Sequence, residues 1–181
     1  KTKVGVGLGV AQNQLNSTTQ AIIGSASQGA GSQITQQDGN VAVSAEQASR
    51  SFALAAGLVL VAARGAGVSA YGMGASNKYE SAVVEALVQE DSTLTSKATD
   101  EDAGVTVSAS FIPIMITAAG DLGLDASWKT GLGNDVSVGA GASVSEVEIK
   151  DGQVTAAVTE STIKLEHGDL QVTAFVGQAE D

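Results

Sequence analysis

Along this chain apolar side chains recur at every second position. Val4, Val6, Leu8 and Val10 alternate with Gly5, Gly7 and Gly9, and Val136, Val138, Ala140, Ala142 and Val144 alternate with Ser137, Gly139, Gly141 and Ser143. Shorter copies stand at Val41/Val43/Ala45, Val105/Val107/Ala109 and Leu170/Val172/Ala174/Val176. Successive side chains of a strand face opposite sides, so each segment offers one continuous apolar face to a core. Turn-forming clusters separate these runs: Asp38-Gly39-Asn40, Gly133-Asn134-Asp135, Asp151-Gly152 and His167-Gly168-Asp169,. The pattern predicts an all-β chain. Tyr79–Gln89 also admits a helical reading, because Tyr79, Ala82, Val83, Ala86 and Leu87 fit a 3.6-residue period,.

The pattern repeats. Asn40–Ala45 (NVAVSA) returns as Gly104–Ala109 (GVTVSA) and as Asp169–Ala174 (DLQVTA), at offsets of 64 and 65 residues. A polar stretch precedes each copy: Gln36-Gln37-Asp38, Asp100-Glu101-Asp102 and Glu166-His167. Aligning Ile22-Ile23 with Val83-Val84 and Ala157-Val158 gives spacings of 61 and 75, which places insertions between the blocks. The chain is therefore expected to be a single β-repeat domain over residues 1–181, with approximate repeats 1–64, 65–134 and 135–181,.

Composition narrows the architecture. Twenty-nine Ala, 22 Gly and 21 Val fill 72 of the 181 positions, and aromatic residues make up only 3%. Such small side chains suit a thin core in which strands stack coil upon coil. The expectation is a parallel β-helix (β-solenoid) of roughly eight coils, each taking about 20–22 residues.

At these residues the sequence resembles a family. Asn40–Ala75 and Asp135–Ala174 resemble the repeats of giant secreted bacterial adhesins, the filamentous-haemagglutinin-like and fusobacterial-leukotoxin-like proteins. The blocks that carry the likeness are Gly139–Val144 (GAGASV), Ala157–Ile163 (AVTESTI) and Asp169–Ala174 (DLQVTA). The resemblance implies a parallel β-helical stalk, an extracellular or cell-surface location and a structural or adhesive role. Two places depart from the pattern: Ile112–Met115, where Pro113 interrupts a predicted strand, and Trp128-Lys129.

The turns support a rival. Asp151-Gly152 between two alternating runs is a hairpin signal, and His167-Gly168-Asp169 could serve likewise,. The stretch from Leu122 onward then reads as an antiparallel meander, and the alternative fold is an antiparallel β-sandwich. An outer-membrane barrel expects aromatic girdles, which 3 Phe, 2 Tyr and 1 Trp do not supply,.

Charge and missing residue types remove whole classes of chemistry. Nine Lys+Arg against 20 Asp+Glu leave a net charge of −11, which disfavours a nucleic-acid partner,. Without Cys there is no thiol nucleophile, disulfide or Cys-ligated metal, and His167 is the lone histidine,. The longest apolar run, Phe52–Ala63, is twelve residues, short of the roughly 20 that a membrane helix needs, so no transmembrane segment is expected,. Since Lys1-Thr2-Lys3 opens directly onto the strand pattern, an export signal is expected to have been removed or to lie outside this sequence,.

Each candidate for chemistry has a plainer reading beside it. Asp100-Glu101-Asp102 with Glu90-Asp91 could ligate calcium, yet the spacing of a calcium loop is absent and a solvated acidic corner accounts for it,. His167 reads as a turn residue rather than a general base,. The glycines at Gly5–Gly9 and Gly65–Gly74 lack the strand–loop–helix context of phosphate loops and read as close-packed strands,. Trp128, Tyr71, Tyr79 and Phe111 could stack on a sugar or simply pack,. Asn16-Ser17-Thr18 fits a glycosylation sequon, and Thr93-Leu94-Thr95 is too short for an ice-binding ladder.

No catalytic, cofactor-binding or metal-binding residue is assigned. The expectation is a non-enzymatic segment or self-assembling subunit of an extracellular bacterial fibre, associating end to end through open strand edges and meeting host or surface glycans. The alternative is a calcium-dependent β-helix that binds or degrades polysaccharide.

Overall fold

The computed structural model describes residues 3–24, 31–63, 67–99, 104–127 and 137–177, and the regular structure among them is entirely β-strand. Ten strands follow in order: β1 (Lys3–Ile23), β2 (Gln33–Gln36), β3 (Val41–Ala63), β4 (Gly67–Val88), β5 (Thr93–Ser96), β6 (Val105–Ser127), β7 (Ser137–Ile149), β8 (Gly152–Val158), β9 (Thr162–Leu165) and β10 (Leu170–Val176). The helical reading of Tyr79–Gln89 gives way to strand as far as Val88. There Ala82, Val84, Ala86 and Val88 are fully buried at alternate positions, so a two-residue period governs packing,.

The strands form three sheets. One takes β1-β4-β7 with β8 also paired to β4, the second β3-β6-β10, and the third β2-β5-β9. β8 lies parallel to β4, β10 to β6, β5 to β2 and β9 to β5. Ser108 donates to Ser44, and the Gly104 amide donates to the Asn40 side chain, each pair 64 residues apart, so β3 and β6 also run the same way.

These registers correct three expectations. The antiparallel meander, and with it the sandwich, is overturned: β8, β9 and β10 pair in parallel with β4, β5 and β6 rather than with one another. Asp151-Gly152 makes no hairpin. Lys150 donates its amide to the Tyr79 carbonyl at 2.8 Å and Gly152 stands opposite Ala82, so the register crosses Asp151 unbroken. Asp151 takes a φ of 25° and marks a kink in a line that continues along β4,.

The second correction is the coil length. Leu170 pairs with Val105, Gln33 with Thr93, Thr93 with Thr162 and Ala82 with Gly152. The pairing interval is thus a whole repeat rather than 20–22 residues, and the described chain visits the three sheets three times, not eight. The Gly/Ala-rich stretches between blocks form no further coils; they prolong β3, β4 and β6 into strands of 22 or 23 residues.

Third, Pro113 does not interrupt its strand. Val105 donates to the Asp169 carbonyl and the Phe111 carbonyl accepts from Gly177, so odd-numbered positions of β6 face β10. β10 ends at Val176 opposite Phe111, so the N–H that Pro113 lacks would have pointed past the end of that ladder,.

The chain divides into two compact units. The first comprises Lys1–Gln14, Ser51–Lys78 and Met115–Ile149, and the second Leu15–Arg50, Tyr79–Ile114 and Lys150–Asp181. In the second unit the apolar faces point inward as expected. Ile34, Leu94 and Ile163 stand in one row across β2, β5 and β9, and Leu94 is fully buried. Burying such a side chain stabilises by about 1.5–3 kcal/mol. Val105, Val107 and Ala109 on β6 are likewise fully buried, beside Val43 and Ala45 on β3. Tyr79 and Phe111 meet edge to face at 5.2 Å, and the Tyr79 hydroxyl donates to Ser49 Oγ. Where the chain leaves the sheets, pairing persists: Thr93 donates to the Ser32 carbonyl and Thr162 to the Ser92 carbonyl, both at 2.8 Å.

In the first unit the facing is reversed. Val4, Val6, Leu8 and Val10 point outward, with Leu8 and Val10 each 83% exposed, while Gly5, Gly7 and Gly9 point inward. The expectation that the apolar face of this segment lines the core is corrected here. The inward side has no room for larger residues: a Cβ on Gly9 would lie 2.6 Å from the Met73 sulfur, and one on Gly57 would lie 1.6 Å from the Met73 Cε. Ala53, Ala55, Met73 and Ala75 form this small-residue core, with Ala11 and Ala119 packed against it.

Candidate functional site

Within the first unit, small polar side chains meet where an all-apolar core would not need them. Asn77 on β4 is completely buried. Its Oδ1 accepts from Asn13 Nδ2 at 2.9 Å and from Ser51 Oγ at 2.7 Å. Its Nδ2 donates to the Ile116 carbonyl at 2.7 Å and more weakly to the Ser51 carbonyl at 3.4 Å. Asn13 also donates to the Phe52 carbonyl at 2.8 Å. Strands β1, β3, β4 and β6 are tied together by these two side chains. The amide groups are satisfied, which makes the cluster a structural clamp rather than a reactive centre.

On the outer face of the same unit lies a groove of about 260 Å³, lined by residues that include Val10, Gly74, Ser76, Val144, Lys78 and Glu146. Gly74 on the central strand β4 forms the floor; Val10 on β1 and Val144 on β7, both exposed, form the walls. Next along the floor, a Cβ on Gly72 would touch Leu8 Cδ2 at 3.3 Å. One end of the groove is charged: Lys78 Nζ stands 2.8 Å from Glu148 and 3.4 Å from Glu146. Hydrogen bonding to Glu148, and secondarily to Glu146, holds the Lys78 ammonium above its ordinary range, against the opposing effect of partial desolvation,.

In the second unit, Glu90 and Asp91 occupy a corner after β4 with φ of 58° and 56°, and Asp91 donates its amide to the Glu160 carbonyl at 2.7 Å. This is the acidic corner weighed for calcium; Asp100-Glu101-Asp102, its other half, lies outside the described residues. Among the described residues no group of three His, Asp or Glu side chains is placed to hold a metal ion. His167 is exposed in the bend between β9 and β10, where Gly168 takes a φ of 81°. The aromatic candidates do not form a platform. Tyr79 and Phe111 are buried together in the second unit, Tyr71 is half-buried on β4, and Trp128 is outside the described residues. Of the sequon, Asn16 and Thr18 face outward on β1 and Ser17 inward. Thr93 and Thr95 flank Leu94 on β5, with Thr162 opposite Thr93 but Lys164 opposite Thr95, so the threonines form no continuous ladder.

The clamp and the groove were not singled out in the sequence. Asn13 and Asn77 stand 64 residues apart, the interval of the repeat, and aligning the repeats would have paired them. The groove is hidden because alternation does not say which face turns inward. No helix of the described chain is long and apolar enough to cross a membrane. No family model, no curated protein and no solved structure matches this chain.

Proposed function

We propose that this chain is a non-enzymatic structural segment of an extracellular fibre, built as a parallel β-solenoid in which one coil takes a whole repeat of about 65 residues. The observation that carries this reading is the uncovered last pass. Val107 and Ala109 on β6, flanked by β3 and β10, are fully buried, whereas their row partners Val172 and Ala174 on β10 are exposed. The free edge of β10 is thus a core row with one side missing, and an unpaired parallel edge of this kind recruits a further strand. A further repeat of the same pattern, or another copy of the chain, supplies one with matching alternation. The likeness of the Gly139–Val144, Ala157–Ile163 and Asp169–Ala174 blocks to adhesin repeats supports the extracellular, adhesive side of the reading.

Negative-stain electron microscopy of the purified chain at micromolar concentration, with and without calcium, tests it. Ordered filaments that vanish in Val172→Lys support end-to-end stacking through β10. Discrete particles in every buffer overturn self-assembly through this edge.

A further inference from the structure

Gly74 has no reason within the chain to be glycine. A Cβ placed on it meets nothing within 4 Å, and its φ lies outside the left-handed region. The other interior glycines differ. Gly9 and Gly57 make room for Met73, Gly31 lies against the Asp91 backbone and Gly104 against the Asp169 backbone. Glycine within a strand weakens it, and where no internal contact requires one it marks close approach by something outside. Here it sits on the central strand of an exposed sheet, between walls of Val10 and Val144.

The structure points to a second copy of this chain as what approaches. We propose that the outer face of β1-β4-β7 in the first unit is a dimer interface, in which the Val/Leu ridge of one copy fills the glycine-floored groove of the other. Three observations on this face fit a second copy. First, ridge and groove lie side by side and at the same height: Leu8 packs beside Gly72, and Val10 beside Gly74, in the register fixed by Asn13 and Asn77. A two-fold axis along the strands therefore sets each copy's Val10 over the other's Gly74, making the contact self-complementary. Second, the same operation carries Gln12 of one copy over Ser76 of the other, and the Ser76 hydroxyl, at the groove wall, has no hydrogen-bond partner within the chain. Third, charge at the margin is already paired: Lys78 with Glu146 and Glu148, so closing the face strands no lone charge. Anionic occupants, including an acidic lipid surface, are opposed by the net charge of −11,. This interface is lateral and independent of stacking through β10.

The test uses the full chain in sedimentation velocity over a range of concentrations. Wild type is expected to dimerise reversibly. Gly74→Val, which fills the groove without touching the chain's own atoms, is expected to weaken dimerisation at least tenfold with the thermal midpoint unchanged; Val172→Lys is expected to leave it intact. Because the chain has no cysteine, mixing Val10→Cys with Gly74→Cys under oxidation reads out the contact directly as a crossed disulfide dimer. A wild type that stays monomeric at 200 micromolar overturns the proposal. So does a dimer insensitive to Gly74→Val, or a monomer that floats with neutral phosphatidylcholine vesicles, which would assign the face to lipid. Loss of the dimer in Val172→Lys alone would leave the stacking reading standing and remove this one.

Discussion

Asn13 donates through Nδ2 to Oδ1 of Asn77 at 2.9 Å, across 64 residues of sequence, and the same Asn77 oxygen also takes the Ser51 hydroxyl. One fully buried side chain thereby joins β1, β3 and, through the Ile116 carbonyl, β6 to its own strand β4. Replacing it leaves several buried groups without partners at once. Asn77→Ala is expected to lower stability by about 2–4 kcal/mol, and Asn13→Ala by less, since Asn13 is only half-buried,. Urea denaturation of both variants and of the double mutant checks this. A coupling energy of roughly 0.5–3 kcal/mol between the two sites is expected, and simple additivity would refute the clamp.

Tyr79 in the second unit does two jobs, packing edge to face on Phe111 and donating to Ser49. Tyr79→Phe keeps the ring and removes the hydrogen bond, so a loss of about 1 kcal/mol is expected. Phe111→Ala removes a fully buried ring and should cost about 3–5 kcal/mol,. Thermal and chemical unfolding of the two variants should preserve that order.

Two glycines make a matched pair for substitution. A Cβ on Gly104 would lie 2.2 Å from the Asp169 carbonyl oxygen, a backbone atom that cannot turn aside, while one on Gly74 meets open space. Gly104→Ala is expected to destabilise by at least about 2 kcal/mol, and Gly74→Ala to be neutral or stabilising by up to about 1 kcal/mol through lost backbone freedom in the unfolded chain. Equal effects in an unfolding titration would contradict the placement of these strands.

The alkaline limb of stability should carry the signature of Lys78. Its folded pKa is raised above the model value of 10.5, chiefly by the hydrogen bond to Glu148. The folded state therefore holds this proton more tightly than the unfolded chain, so its contribution is complete below the unfolded pKa and is lost as pH climbs through the folded one. Between these limits wild type should lose stability more steeply with rising pH than Lys78→Met. Parallel curves above pH 10 would count against the pairing.

Much of this architecture is legible in the residues, though not all for the same reason. The repeat interval shows because Asn40–Ala45, Gly104–Ala109 and Asp169–Ala174 occupy equivalent places in one sheet. The alignment of Ile22-Ile23 with Val83 and Ala157-Val158 slips, however. In space Val88 stands opposite Val158, and Gln89 donates to the Ile23 carbonyl, so the proposed insertions disappear. Coil length was misread because residues 51–78 alternate just as the rest does, and a two-residue period carries no count of sheets. The reversal at Val4–Val10 was invisible for a related reason. Which face turns inward is decided by what lies across the core, here the long Met73 side chain that only Gly9 and Gly57 leave space for,.

The pairing interval also governs how such a chain reaches its native state. Gln33 has no partner until Thr93 exists, and Val105 must wait for Leu170. At a synthesis rate of roughly 5–20 residues per second, each strand spends several seconds unpaired before its neighbour emerges. Every closure spans a long loop, so folding is expected to be slow and vectorial, with each finished pass serving as the template for the next.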